Sequence, residues 1–317
     1  MLANRQFRDR IGGIAVGRVL FDEPMSAHTS MGVGGRADAL IFPDTVDRLG
    51  DLVSFLLREG IPFLPVGNGT NLIVKDGGYR GVLISLEALQ GLEIKKEGER
   101  FAAEGDDAGD VRVHAQAGVS FSSFIDFLAR ESLAGMEFCA GIPGSVGGGV
   151  KMNAGAWGRE MKDVVASVFI LNSGAKAKEI ERKDLLFEYR NLDLPEGTII
   201  TGADFHLVRG DRDTIRGRIS DIMAARRERH PLTFRSAGSV FKNPPGCPAG
   251  KMIEEAGLKG LRVGDAEISE KHGNFIVNRG SARAADVLAL IDTVRGKVLD
   301  ERGIFLETEL KIIGEEG

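Results

Sequence analysis

Two glycine-rich turns and a handful of polar side chains carry the chemistry that can be read from this chain. The longer turn, Gly141-Ile-Pro-Gly-Ser-Val-Gly-Gly-Gly-Val-Lys-Met-Asn-Ala-Gly-Ala-Trp-Gly158, holds seven glycines in eighteen residues, yet interleaves Ile142, Val146, Val150, Met152 and Trp157. A flexible linker lacks such apolar side chains. Glycine embedded in an apolar run marks backbone that approaches something closely or adopts φ > 0. Successive free N–H groups in such a turn form an anion-binding nest suited to a pyrophosphate. A shorter turn, Pro65-Val-Gly-Asn-Gly-Thr-Asn-Leu-Ile-Val74, lies well upstream. Either turn alone is equally well explained by tight backbone packing with no ligand. The pair, with Asn71 and Asn153 beside it, predicts one extended phosphate-bearing ligand held from two sides.

The candidate acid–base groups each have an ordinary structural explanation as well. Arg190 follows Tyr189 at the close of an apolar stretch, where an arginine is commonly a solvated or salt-bridged strand end. Ser239 lies in Ser236-Ala-Gly-Ser-Val-Phe-Lys-Asn-Pro244, whose small residues expose its hydroxyl, although serine in such a turn commonly bonds backbone. In a last strand read over 304–313, Phe305, Glu307, Glu309 and Lys311 share one face and Leu306, Leu310 and Ile312 the other. Alternation therefore leaves Glu307 and Glu309 equivalent. Cys139 reads as a small buried thiol and His272 as a structural ring. A G-x-S-x-G hydrolase elbow is absent.

Composition narrows the classes. At 317 residues the chain accommodates two domains, and its 43 glycines are about twice the usual ~7% share. A formal charge of −5 offers no general attraction to nucleic acid or anionic lipid, so a bound phosphate is met by local donors. Two cysteines without a C-x-x-C pair argue against a disulfide framework and a thiolate zinc site, and five scattered histidines show no H-E-x-x-H spacing, so no metal is expected. Met1 to Arg10 lacks an apolar signal core and no apolar run approaches the ~20 residues of a span. A soluble cytoplasmic protein is expected.

The elements that position these groups follow from periodicity. A helix is predicted from Asp44 to Glu59, with Val46, Leu49, Leu52, Val53, Leu56 and Leu57 on one stripe, Asp44 as cap and Gly60 as stop. Strands are predicted at Phe63 to Val66, Leu72 to Val74, Gly81 to Ser85, Val111 to Ala115, Val164 to Leu171 and Thr198 to Val208, and a helix from Ser120 to Glu131. The first glycine turn thus leads into a strand. A dinucleotide fingerprint needs turn then helix, and a third glycine and the P-loop lysine are also missing. The polar segment Glu97 to Asp110 reads as an exposed hairpin end. A charged helix from Asp211 to Arg229 ends in Arg226, Arg227 and Arg229, and a domain boundary is placed near Gly210. A polar loop from Thr233 to Pro245 follows. Beyond it come a short helix from Pro248 to Ala256, strands around Ile268 and Asn274 to Asn278, and a long helix through Ala284, Val287, Leu288, Ile291, Val294 and Val298. That pattern suits an α+β domain.

In this order, the segments resemble the UDP-N-acetylenolpyruvoylglucosamine reductase family, flavoproteins that make UDP-N-acetylmuramate for peptidoglycan. The resemblance runs from His28-Thr-Ser-Met-Gly-Val-Gly-Gly35 through Gly67-Asn-Gly-Thr-Asn-Leu72, the 141–158 turn, Tyr189-Arg190, Gly238-Ser-Val-Phe-Lys-Asn-Pro244 and Ser269-Glu-Lys-His272 to Leu306-Glu-Thr-Glu-Leu-Lys-Ile-Ile-Gly314. It implies an α+β fold: a two-part FAD-binding domain of the PCMH/vanillyl-alcohol-oxidase type over 1–210 (roughly 1–85 and 86–210), then a smaller α+β substrate-binding domain over 211–317. It implies non-covalent FAD held by Val66, Gly67, Asn68, Gly69, Thr70 and Asn71 in the first turn. In the second turn the FAD-binding positions are Gly141, Pro143, Gly144, Ser145, Gly147, Gly148, Asn153, Gly155 and Ala156. NADPH is the implied reductant, and Lys242, Asn243 and Arg227 the implied substrate contacts. The family's catalytic arginine falls on Arg190, its proton-donating serine on Ser239 and its catalytic glutamate on Glu309, the second acid of Leu-Glu-Thr-Glu. A fixed guanidinium stabilises enolate charge, and a positioned hydroxyl supplies the proton by general acid catalysis. Arg36, Asn68 and Asn191-Leu192 depart from the family pattern. The short span between Asp211 and the Ser239 loop matches the subtype without the tyrosine-bearing insertion, and a monomer is expected.

Two other readings compete. One is a flavin oxidase or dehydrogenase of the wider FAD fold, for which only His28, His114 and Cys139 are near the glycine turns as attachment points. The other is a non-catalytic nucleotide-binding protein, against which the joint presence of Arg190, Ser239 and the terminal glutamates argues.

Overall fold

A computed structural model describes residues 8–11, 14, 17–97 and 110–317. The expected hairpin end between Glu97 and Asp110 falls almost wholly outside the described residues. The chain builds three hydrophobic units in succession, an α+β architecture.

The first unit is a four-stranded sheet in the order Arg18–Pro24, Arg36–Phe42, Tyr79–Ser85, Phe63–Val66, antiparallel at its first pairing and parallel thereafter. Helix α1, Val46–Arg58, packs Leu49, Leu52, Val53 and Leu56 on Ile41, Val82 and Ile84. Its start is capped by Thr45, whose hydroxyl accepts from the Arg48 N–H, and not by Asp44, which instead ion-pairs with the Arg48 side chain at 2.6 Å. Gly60, at φ 62°, ends it in the left-handed conformation that glycine adopts freely.

The second unit is an antiparallel sheet in the order Ala177–Glu181, Val165–Leu171, Ile199–Arg209, Asp110–Gln116, Leu92–Glu97. Its core gathers Val113, Phe124, Leu128, Val168, Phe205 and Leu207 under α2, Phe121–Arg130. Part of the long glycine turn is itself a helix, α3, Val146–Lys151. Glycine disfavours helix interiors, so tertiary packing decides this one. A Cβ on Gly149 would stand 2.0 Å from the Phe121 ring, and Val146 and Val150 are fully buried. Helix α4, Arg212–Arg229, also leans on this unit through Ile219, Ile222 and Met223.

The third unit is a four-stranded antiparallel sheet, Arg235–Ser239, Phe275–Asn278, Ala266–Ile268, Arg262–Val263, with α5, Ala249–Glu255, and α6, Ala284–Arg302. The expected polar loop from Thr233 to Pro245 thus contains a strand, irregular between Ser236 and Ser239 where Gly238 takes φ 77°. Several ties bind this unit to the first, among them Ser30 Oγ to the Ser236 carbonyl at 2.7 Å and Asn278 Nδ2 to the Met31 carbonyl at 3.0 Å. The Asp76 carboxylate accepts from the Ala284 and Ala285 N–H groups at 3.0 and 2.9 Å, capping α6 from another unit. The chain end returns to the first unit as Lys311–Ile313, parallel to Leu72–Val74.

That return overturns the long strand expected over 304–313. Only Lys311–Ile313 is a strand, because the segment changes partners on the way. Lys242 N–H donates to the Glu307 carbonyl at 2.9 Å and Glu309 N–H to that of Val240 at 2.8 Å, and beyond the bend at Leu310 pairing passes to Leu72–Val74. Among the described residues no helix is long and apolar enough to cross a membrane, and no cluster of histidine, cysteine and acidic side chains suits a metal.

Candidate active site

The two glycine turns, far apart in sequence, meet. Thr70 Oγ1 donates to the Pro143 carbonyl at 3.3 Å, and a Cβ on Gly67 would stand 2.8 Å from Ser145 Oγ. Ser145 is buried and its hydroxyl has no partner among the described residues. Val66, Gly67, Asn68 and Gly69 line a cavity of about 260 Å³ together with His28 and Ser30. Asn68 also borders a wider opening of about 630 Å³ that reaches Arg18, Gln90, Gly118 and Ser120. An orphaned buried hydroxyl between two backbone turns, beside a groove of this size, fits a dinucleotide such as FAD, since a hydrogen-bonding ligand removes the penalty of an unpaired buried group.

The remaining residues of the long turn divide by role. Gly148 is exposed, and a Cβ there would be 3.7 Å from Ser145 Oγ, an ordinary contact. Gly144 adjoins the Thr70 hydroxyl. Gly147, like Gly149, is fixed by packing, here against Ala117. Gly141 abuts Met223 and Arg226 of α4, and Gly155 with Ala156 pairs with Arg159–Glu160 in a short ladder. Asn153 is fully buried and its amide is spent on protein partners. Nδ2 donates to the Glu188 carbonyl at 2.9 Å and to Glu160 Oε2 at 3.0 Å, and Oδ1 accepts from Lys162 N–H at 3.1 Å.

Glu188 opens the turn that presents the arginine. Strands Leu186–Glu188 and Asn191–Asp193 form a hairpin with Tyr189 and Arg190 at its tip, Glu188 opposite Asn191. Arg190 takes φ 59°, a left-handed conformation that costs an ordinary residue roughly 1–2 kcal/mol. Lys151, at the end of α3, donates to Asn191 Oδ1 at 3.1 Å and to the Leu192 carbonyl at 2.6 Å, so the departing pair Asn191-Leu192 has a structural use. Tyr189 Oη accepts from Asn243 N–H at 3.4 Å.

The hairpin brings Arg190 Nε to within 3.1 Å of Glu309 Oε1, both side chains about four-fifths buried. The Nε–H is poorly aligned on the oxygen, so the contact is chiefly an ion pair. Burial pushes the Glu309 carboxyl above the usual range, with Arg190 and then Lys242 opposing the shift. Glu307 points elsewhere. Its side chain is 68% exposed and pairs with Lys242 Nζ at 3.2 Å. Ser239 is half-buried opposite Phe275, one residue before Val240, whose carbonyl receives the Glu309 N–H. Arg190 and Glu309 thus meet from two remote segments beside the strand that ends in Ser239, and Asn71 Nδ2 donates to the Glu309 carbonyl at 3.0 Å.

Other candidates have protein partners. Asn243 Oδ1 accepts from Ala249 N–H at 3.0 Å, and Arg227 is exposed with its carbonyl receiving Lys271 Nζ at 2.7 Å. Its neighbour Arg226, not assigned a role from sequence, has a buried Nε without a hydrogen-bond partner among the described residues. His28 pairs with Glu23 at 2.8 Å and His114 with the buried Asp204 at 2.7 Å. Cys139 is fully buried and its thiol is pushed up by desolvation. His272 packs edge-on against Phe275 and His230, and burial lowers its pKa, as expected of a structural ring.

Comparison with known proteins places these features in a lineage. Residues 37–181 match the FAD binding domain family and residues 230–313 the UDP-N-acetylenolpyruvoylglucosamine reductase C-terminal domain. The chain is 53% identical over 310 residues to the UDP-N-acetylenolpyruvoylglucosamine reductase of Syntrophus aciditrophicus, covering 98% of this chain and 96% of that protein. It is 41% identical over 307 residues to that of Geotalea uraniireducens, covering 97% and 98%. The crystal structure of the Thermus caldophilus enzyme superposes with a TM-score of 0.75 at 35% identity, covering 93% of this chain and 98% of that one.

Proposed function

Because this chain belongs to the UDP-N-acetylenolpyruvoylglucosamine reductase family, we propose that it uses NADPH to convert UDP-N-acetylglucosamine enolpyruvate to UDP-N-acetylmuramate. It is an FAD-containing oxidoreductase, and bound FAD supplies the electron chemistry of the reduction. The observation that carries the residue assignment is the Arg190–Glu309 pair at 3.1 Å, formed beside the strand that ends in Ser239 and tied to a glycine turn through Asn71.

The contact with Glu309 engages Arg190 Nε, which leaves the paired Nη groups to bind the substrate carboxylate bidentately and to stabilise enolate charge. Ser239 delivers a proton from Oγ to the substrate carbon. Glu309, whose carboxyl burial pushes above the usual range against the opposing Arg190, assists that transfer. Val66 to Thr70 and the 141–148 backbone would hold FAD, with the unpartnered Ser145 hydroxyl between the two turns available to bond it. Lys242, Asn243 and Arg227 serve the sugar nucleotide. The packing of α4 on the second unit supports a domain boundary after Arg229 in place of one near Gly210, with 230–317 as the substrate-binding part.

NADPH consumption by the purified holoprotein, with and without the enolpyruvyl substrate, tests this reading. Oxidation of NADPH that depends on the substrate is expected, with flavin released into the supernatant on acid precipitation. Substrate-independent consumption, or flavin that stays with the precipitate, overturns it.

A further inference from the structure

Each glycine turn carries an asparagine whose side chain bonds backbone at or near the catalytic pair. Asn71 holds the C-terminal segment at two points. Its Nδ2 donates to the Glu309 carbonyl at 3.0 Å and its own carbonyl accepts from Lys311 N–H at 3.0 Å. These bonds span the bend at Leu310, where the segment leaves Val240 and joins Leu72–Val74. Asn153, at φ 40°, is fully buried and bonds the carbonyl of Glu188, the residue before the Tyr189–Arg190 tip. Its other bonds, to Glu160 and Lys162, fix the amide's orientation.

We propose that Asn71 and Asn153 are positioning residues that hold Glu309 and Arg190 against one another from the two cofactor turns. This rests on the reductase reading of Arg190 and Glu309. The physical case is that neither catalytic side chain lies on a long regular element. Arg190 sits at a two-residue hairpin tip and Glu309 just before the bend at Leu310, where the segment changes strand partners. Backbone of that kind keeps one geometry only when neighbouring groups over-determine it, and the two amides supply that constraint at Glu309 itself and two residues before Arg190.

Two double-mutant cycles test the proposal, Asn71→Ala with Glu309→Gln and Asn153→Gly with Arg190→Lys. Glycine accepts the φ of 40° at position 153, so the second cycle removes the amide without backbone strain. Three quantities are measured: FAD affinity by quenching of flavin fluorescence, flavin reduction by NADPH, and reoxidation by the enolpyruvyl substrate in stopped flow. Each asparagine variant is expected to slow reoxidation about 10–10²-fold through misplaced groups, with FAD affinity and flavin reduction close to wild type. Each double variant is expected to be no slower than its catalytic single variant, since a residue acting through a partner has nothing left to position. Multiplying losses, or equal slowing of flavin reduction, overturn the proposal while leaving the reductase reading intact. A wild-type protein whose reduced flavin is not reoxidised by the substrate overturns both. Should one variant fail to fold, the other cycle decides.

Discussion

Arg190 Nε and Glu309 Oε1 stand 3.1 Å apart, yet one belongs to a hairpin of the second unit and the other to the returning C-terminal segment. Their contact forms where the C-terminal segment passes from Val240 to Leu72–Val74. The pair also separates two glutamates that sequence alternation leaves equivalent. Glu309 faces the arginine, while Glu307 is exposed beside Lys242.

That separation predicts a ranking. Glu309→Gln is expected to lower turnover sharply with FAD still bound, and Glu307→Gln to act mildly, because an exposed ion pair contributes little. Steady-state rates on variants with matched flavin content give the ranking, and the reverse order moves the assignment to Glu307.

Ser239→Ala is expected to leave FAD binding and flavin reduction by NADPH nearly unchanged. Reoxidation by the enolpyruvyl substrate should fall by about 10²–10⁴-fold, the range for loss of a general acid. Stopped-flow traces of the two half-reactions separate these outcomes, and equal slowing of both makes Ser239 structural.

Gly149→Ala places a Cβ 2.0 Å from the Phe121 ring. Overpacking of this kind costs about 1–3 kcal/mol, so the thermal midpoint should drop. Gly148→Ala, with Ser145 Oγ at 3.7 Å, is the control and should be neutral or stabilising. A wild-type midpoint for Gly149→Ala contradicts the packing described.

His230 sets an acid limit on stability. Burial, then Arg226, His272, Arg229 and Lys271, lower its pKa from 6.5 to about 4. The unfolded chain therefore binds more protons than the folded one between those values. Stability should fall as pH is lowered from about 6.5 to about 4, and hold above that window. His272, shifted in the same direction, adds to the slope. Thermal midpoints across this range should decline less steeply in His230→Gln than in wild type. An unchanged slope would remove His230 from the account.

Much of the fold was legible because local physics dictates it. The stripe of Leu49, Leu52, Val53 and Leu56 specified α1, and the expected central strands are present with ends shifted by a residue or two. The glycine turns announced a close backbone approach, and the family motifs carried the FAD assignment. Helix α3 was not legible. Its glycines argue against a helix, and only the Phe121 ring across the fold explains why Gly149 cannot carry a side chain.

By itself, then, the sequence determined which residue types were available and which stretches form regular elements, since propensity and periodicity act over a few neighbouring residues. Tertiary structure decided which of those groups meet. The Arg190–Glu309 contact, the split between Glu307 and Glu309, and the commitment of Asn153 to the hairpin all depend on contacts between segments remote in the chain. No local pattern encodes such contacts, because closing them depends on how three cores stack and where the C-terminal segment changes partners.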